Sequence, residues 1–192
     1  NMHSVMNSLY AERALPIDAK KGAMHLYELL SDSSSDTQRE KTTKLANKQG
    51  MTFLKDSSGT NINVQIFDTA KLTSLPYGLQ LSGKQTKDKP VIIVMDYAFG
   101  EQAYETMDEL LKPYTTDTKT QFLNVVSIGI MGKAGILEGG KGDIMIPSAH
   151  VFEGTADNYP FDNKLKVAHF ENDGIAVCEG SMISVLGTSL PV

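Results

Sequence analysis

KPVIIVMDYAFGEQAYETMDELLKPY (residues 89–114) passes from a bare apolar run through a short turn into an amphipathic segment. VIIVM has no polar residue on either face, the pattern of a strand buried centrally in a parallel sheet. After Glu101, the residues Ala103, Met107, Leu110 and Leu111 recur at helical spacing, and Lys112 followed by Pro113 ends the helix. The turn between them is built from Asp96, Tyr97, Gly100 and Glu101 rather than from inert turn residues. Gly100 lets a backbone approach a ligand closely. A carboxylate at Glu101 is favoured by the helix dipole, by about 0.3–1 kcal/mol. From spacing alone, Glu101 either decorates the first helical turn or belongs to a site.

Downstream, FLNVVSIGIM and GDIMIP are predicted as further strands, and IAVCEG with SMISVLGTS as a last pair around Glu179 and Gly180. Strand, helix and strand joined by glycine-rich turns predict an α/β domain. Upstream, IDAKKGAMHLYELLSD is predicted as a helix capped by Asp18, with Ala23, Leu26, Tyr27 and Leu30 on one side. SDSSSD breaks it. TQREKTTKLANKQG is a second helix whose apolar residues are almost only Leu45 and Ala46, as in a solvated surface element. MTFLKDSSGTNINVQIF is predicted as two short strands around a Ser-Ser-Gly turn, with Ile62, Val64 and Ile66 alternating. The polar connector SGKQTKDK is the expected boundary. Residues 1–88 are then an N-terminal extension of helices plus a small hairpin, and residues 89–192 the chemical domain.

The 192 residues suffice for one domain with a real core. Hydrophobic residues make up 41% and charged residues 21%, as in ordinary globular chains. A net charge of −5 argues against a nucleic-acid backbone as partner, which needs a basic face. Small phosphorylated ligands are not excluded, because local donors bind them. No apolar run approaches the roughly 18 residues of a membrane span, so no membrane partner is expected. Cys178 is the one cysteine and can form no internal disulfide, which fits a cytoplasmic setting.

Two further turns hold candidate chemistry. In GIMGKAGILEGGKGDIMIP, the glycines Gly129, Gly132 and Gly135 with Ala134 expose backbone N–H groups beside the cation Lys133. Such a stretch is either a nest for a phosphate or carboxylate or a set of tight turns. It is neither a Walker A loop nor a dinucleotide-binding spacing. In HVFEGTADNYPFDN, Phe152, Tyr159 and Phe161 offer stacking faces for a flat ring, with Glu153, Asp157 and Asn158 as polar contacts. His150 and Glu153 lack a third ligand, so no metal is expected. No Ser-His-Asp or Cys-His arrangement is legible, and Cys178 inside an apolar strand is expected in the core.

Taken in order, VIIVMDYAFGEQAYETMDELL, SIGIMGKAGILEGGKGDIMIPSAHVFEGT and EGSMISVLGTSL resemble the three active-site segments of the purine nucleoside phosphorylase and nucleosidase superfamily, most closely AMP-nucleosidase-like proteins. The resemblance covers about half the chain. It implies a three-layer phosphorylase-like mixed sheet flanked by helices, and cleavage of the N-glycosidic bond of a purine nucleotide or nucleoside. The sugar then develops oxocarbenium character while water, or inorganic phosphate in the phosphorolytic alternative, attacks the anomeric carbon. Glu101 resembles the acid that orients the attacking water, a role open to a well-placed carboxylate. Gly100, Gly132, Lys133, Ala134 and Gly135 would hold the attacking anion or the nucleotide's phosphate. Phe152 and Glu153 would shape the base or ribose site, and Thr188 and Ser189 would lie in the substrate-contacting loop. For Asp96, ligand contact and a loop-closing hydrogen bond both stay open. The reaction needs no cofactor.

The family pattern continues beyond LGTSL with a Met-Glu pair that holds the ribose hydroxyls and a strand whose Asp protonates the leaving base. This sequence has neither, so the expectation is either a fragment of a longer protein or a relative shortened at its C-terminal edge that pairs with another chain. An exposed sheet edge invites association, and a homo-oligomer is expected. An inactive nucleotide-binding or assembly module is the alternative from a different class.

Overall fold

A computed structural model describes residues 2–18, 20–31, 36–72, 89–98, 100–155, 157–170 and 174–185 of the chain. The fold is mixed α/β, and its residues gather into two compact units, Asn1–Met131 and Gly132–Val192.

Unit 1 opens with helix α1, made of Met2–Met6, a π-helical turn Asn7–Ala11 and a last turn Glu12–Ala14. Helix α2 (Gly22–Ser31) and helix α3 (Asp36–Lys48) follow. A three-stranded antiparallel sheet has the order β1 (Met51–Leu54), β2 (Val64–Asp68) and β3 (Val91–Met95). Helix α4 (Glu101–Leu111) comes next, then a two-stranded ribbon of β4 (Tyr114–Thr115) and β5 (Thr120–Gln121).

Sheet and helices meet through alternation. On β2, Gln65 and Phe67 point to one buried side. There Phe67 clusters with Met6, Tyr10, Ala46 and Met51, and the rings of Tyr10 and Phe67 stack with centroids 6.0 Å apart. Arg13 lies over the Tyr10 ring at 5.6 Å and donates to the Leu9 carbonyl and to Gln49. A second cluster joins Ala11, Leu15, Leu26 and Leu30. Helix α3 is polar around most of its circumference, as its composition predicts. Ala46 nevertheless sits at 0% exposure in the first cluster with Leu45 packed against it, and Thr42 is buried as well.

The predicted hairpin at residues 51–67 is present in the β1–β2 pairing. The predicted helix after Asp18 begins later, at Gly22. Asp18 instead accepts a hydrogen bond from the Lys20 amide, and its own amide donates to His25 Nδ1. Residues 32–35 and 82–88, which held the predicted serine break and most of the connector, lie outside the described residues. The sheet itself joins segments on both sides of the 88/89 position, because β3 hydrogen-bonds to β2.

Three predicted strands differ from what forms. VIIVM is not a central parallel strand: it lies at the end of an antiparallel sheet, with Val91 57% and Ile93 40% exposed. Continuous apolar character marked it as strand but could not specify neighbours. FLNVVSIGIM is in no strand. Among the described residues no neighbour pairs with it, and Val126 and Ile130 stand in solvent. IAVCEG and SMISVLGTS are not a hairpin either. They share one strand, β8 (Val177–Ser184), because Gly180 stays outside the left-handed region that a turn would need.

Unit 2 is a three-stranded sheet in the order β7 (Asp157–Pro160), β6 (Ile144–Phe152) and β8. β6 runs antiparallel to β7 and parallel to β8. Pro147 sits in this central strand although it has no N–H to give a ladder. The register shift beside Ser148 accommodates it. Asn163 Nδ2 donates to the Pro147 carbonyl, so that acceptor is satisfied at a position where β7 has not begun to pair.

Candidate functional site

In unit 1 the turn between β3 and α4 is fixed by two devices. Asp96 Oδ2 accepts from the Asn63 amide at 3.2 Å and from Asn63 Nδ2 at 2.9 Å, and the Asp96 amide donates to the Asn63 carbonyl. These bonds tie the end of β3 to the start of β2. Of the two readings open for Asp96, the loop-closing hydrogen bond is therefore made. The second device is Gly100 at φ 61°, ψ −139°, backbone that essentially only glycine adopts without strain. It swings the chain into α4 and leaves Glu101 exposed in the first turn. Gln102 Nε2 donates to the Thr60 carbonyl and anchors this helix end to the β1–β2 loop.

That loop is organised by Asp56. Its carboxylate accepts from the hydroxyls of Ser58 and Thr60 and from the amides of Ser58, Gly59 and Asn61. The Ser58 hydroxyl, followed by the Ser58 and Asn61 amides, holds the Asp56 carboxyl far below the usual aspartate range.

In unit 2, Gly132, Lys133, Ala134 and Gly135 lie in exposed irregular chain, and the glycines among them, like Gly129, keep out of the left-handed region. The tight turn of this stretch comes later. Gly139 and Gly142 have φ of 108° and 103°, and Asp143 Oδ2 accepts from the Gly140 amide. An anionic side chain of the protein thus takes the backbone donor there.

The third predicted segment forms a defined face. Residues paired across strands share a side of the sheet, and alternate residues along a strand do too. His150 pairs with Tyr159 and Met182, while Phe152 pairs with Asp157 and Ser184. His150, Phe152, Tyr159, Asp157 and Ser184 therefore stand on one face, at the carboxyl ends of β6 and β8. Glu153, one position further, falls outside that set and is exposed; its amide donates to the Ser184 carbonyl.

The face is polar as well as aromatic. His150 Nε2 lies 2.9 Å from Ser184 Oγ. Thr155 Oγ1 donates to Asp157, and so does the Tyr159 phenol, whose pKa is raised first by that bond and then by the Asp157 charge. Phe152 is 37% and Tyr159 59% exposed, so two ring faces remain available to a flat ligand. Thr188 and Ser189 lie outside the described residues. Cys178, expected in the core, is half-buried, its Sγ 3.6 Å from the Ile144 carbonyl. Among the described residues no three His, Cys, Asp or Glu side chains gather as metal ligands, and no helix is long and apolar enough to cross a membrane.

The sequence flagged Phe152, Tyr159 and Asp157 but missed the His150–Ser184 contact. The two residues are distant along the chain, and the contact follows from a parallel register that no local spacing encodes.

These features define a mixed α/β protein with an aromatic, hydrogen-bonded face at the ends of two parallel strands. The chain belongs to DUF6909, a family of unknown function, whose family model matches residues 22–191. No curated protein and no solved structure gives a significant match.

Proposed function

We propose that this chain carries out, or forms part of a domain that carries out, hydrolysis of the N-glycosidic bond of a purine nucleotide such as AMP. The observation that carries this reading is the face formed by His150, Phe152, Tyr159, Asp157 and Ser184. It lies where α/β sheets hold their ligands, beyond the carboxyl ends of parallel strands. It combines ring faces for a purine with hydrogen-bonding groups for its polar edges. The segments bearing it are those that resemble the nucleosidase superfamily, and the side-by-side parallel pairing of β6 and β8 is compatible with that superfamily's three-layer sheet.

In this reading Lys133 and the amides around Gly132, Ala134 and Gly135 serve an anion, and Phe152 borders the base or ribose. The reading includes a cytoplasmic location, no cofactor and a homo-oligomer. The test is product analysis: AMP incubated with the protein yields adenine and ribose 5-phosphate without added phosphate. Release of a sugar 1-phosphate that depends on added phosphate would assign phosphorolysis instead.

A second reading, a nucleotide-binding assembly module without turnover, is favoured by the exposed apolar surface of unit 1, including Val91, Val126 and Ile130. It predicts that AMP raises the melting temperature while no adenine appears.

A further inference from the structure

Departure of a purine from a sugar leaves an electron pair on the base, and the reaction is slow unless a proton meets it. We infer that His150 is the catalytic residue that protonates the leaving purine, with Ser184 as its positioning residue. The inference rests on the nucleosidase reading and assigns a proton donor to its site.

The geometry supports the role in three ways. His150 projects from β6 on the face that carries Phe152, its neighbour two residues along, and Tyr159, its partner across the antiparallel pair. A purine resting against either ring brings its edge beside the imidazole. Ser184 Oγ stands 2.9 Å from Nε2, on a strand whose register with β6 is fixed by the surrounding ladder. An imidazolium donates from both nitrogens. With the serine oxygen accepting from Nε2, the transferable proton is the one on Nδ1. Third, competing acids on this face are engaged: Asp157 accepts from Thr155 and from Tyr159.

The step balances. The bond from the anomeric carbon to purine N9 breaks, and its electron pair stays with the purine. The Nδ1 proton of His150 moves to purine N7, giving neutral adenine. Water adds its oxygen to the anomeric carbon and loses a proton to the reaction's general base. Neutral His150 keeps its Nε2 proton on Ser184 and regains the other from solvent. The sum is nucleotide plus water giving base plus sugar phosphate.

The experiment compares two substrates on the full chain: AMP, whose base needs a proton, and 4-nitrophenyl riboside 5-phosphate, whose phenolate leaves without one. His150→Gln is expected to lower kcat on AMP by about 100-fold or more, while activity on the nitrophenyl substrate stays within about threefold. Ser184→Ala is expected to show the same split in weaker form, and Ser184→Thr, which keeps a hydroxyl, to restore most of it. Equal losses on both substrates, or none on AMP, would overturn the assignment to His150. If His150→Gln does not fold, the Ser184→Ala and Ser184→Thr pair decides: no split between substrates overturns it. Wild-type protein inert on both substrates would instead sink the nucleosidase reading itself, and this inference with it.

Discussion

Asp96 closes the turn between β3 and α4, and its replacement separates architecture from ligand contact. In Asp96→Ala, Asn63 loses the acceptor of two bonds, one to its amide at 3.2 Å and one to its side chain at 2.9 Å. The backbone bond from the Asp96 amide to the Asn63 carbonyl survives, since it needs no side chain. Hydrogen bonds to charged groups contribute about 1.5–3 kcal/mol each, and an unmet donor costs about 1–3 kcal/mol when fully buried. Both bonds are only partly buried, so water takes over some of the loss, and the expected cost is about 1–2 kcal/mol. Asp96→Asn keeps one acceptor oxygen and is expected to cost about half as much. Asn63→Ala costs more than its share of this pair, because Asn63 Oδ1 also accepts from the Asp56 amide. Urea unfolding followed by circular dichroism measures each variant, and the double variant gives a coupling of about 1 kcal/mol. An Asp96→Ala protein as stable as wild type but weaker in nucleotide binding would refute the structural assignment and return Asp96 to the ligand.

Three other outcomes follow from the same geometry. Phe67→Ala, at a fully buried ring stacked on Tyr10, is expected to cost about 3–5 kcal/mol and to unfold unit 1 first, as read by thermal melting. Gly100→Ala is expected to cost about 1–3 kcal/mol from backbone strain alone, because an added Cβ meets nothing within 4 Å. A D-alanine at that position would remove the penalty, whereas a steric cause would leave it. The Asp56 carboxyl, held down first by the Ser58 hydroxyl and then by backbone amides, is expected to titrate well below 3.8 in carboxyl-detected NMR. Its folded value is lowered, so its stabilisation is full above the unfolded value and is lost as pH falls through the folded one. Asp56→Asn is expected to weaken the loop at neutral pH and to be indistinguishable from wild type in strong acid.

Local signals were the legible ones. The helical stripe after Glu101, the hairpin around Asp56 and the strand at GDIMIP each rest on spacing within a few residues, and each forms. Neighbour choice was not legible. VIIVM has the composition of a buried strand, yet composition does not say which strand lies beside it, and here it takes an antiparallel place at an edge. Gly180 looked like a turn residue, but its extended backbone carries β8 straight through and aligns Ser184 with Phe152. The same register brings His150 to Ser184, so the error in the strand and the missed contact have one cause. Gly132 and Gly135 have a composition that suits a nest, while the turn that needs left-handed glycine lies at Gly139 and Gly142, where Asp143 accepts from the backbone.

The central claim is that this protein parts a purine from its sugar with water. AMP incubated with the purified chain, with products separated by chromatography, tests it most directly. The account predicts adenine and ribose 5-phosphate in equal amounts without added phosphate. AMP recovered intact after prolonged incubation, from a protein whose melting temperature it raises, would contradict the claim and leave a binding module in its place.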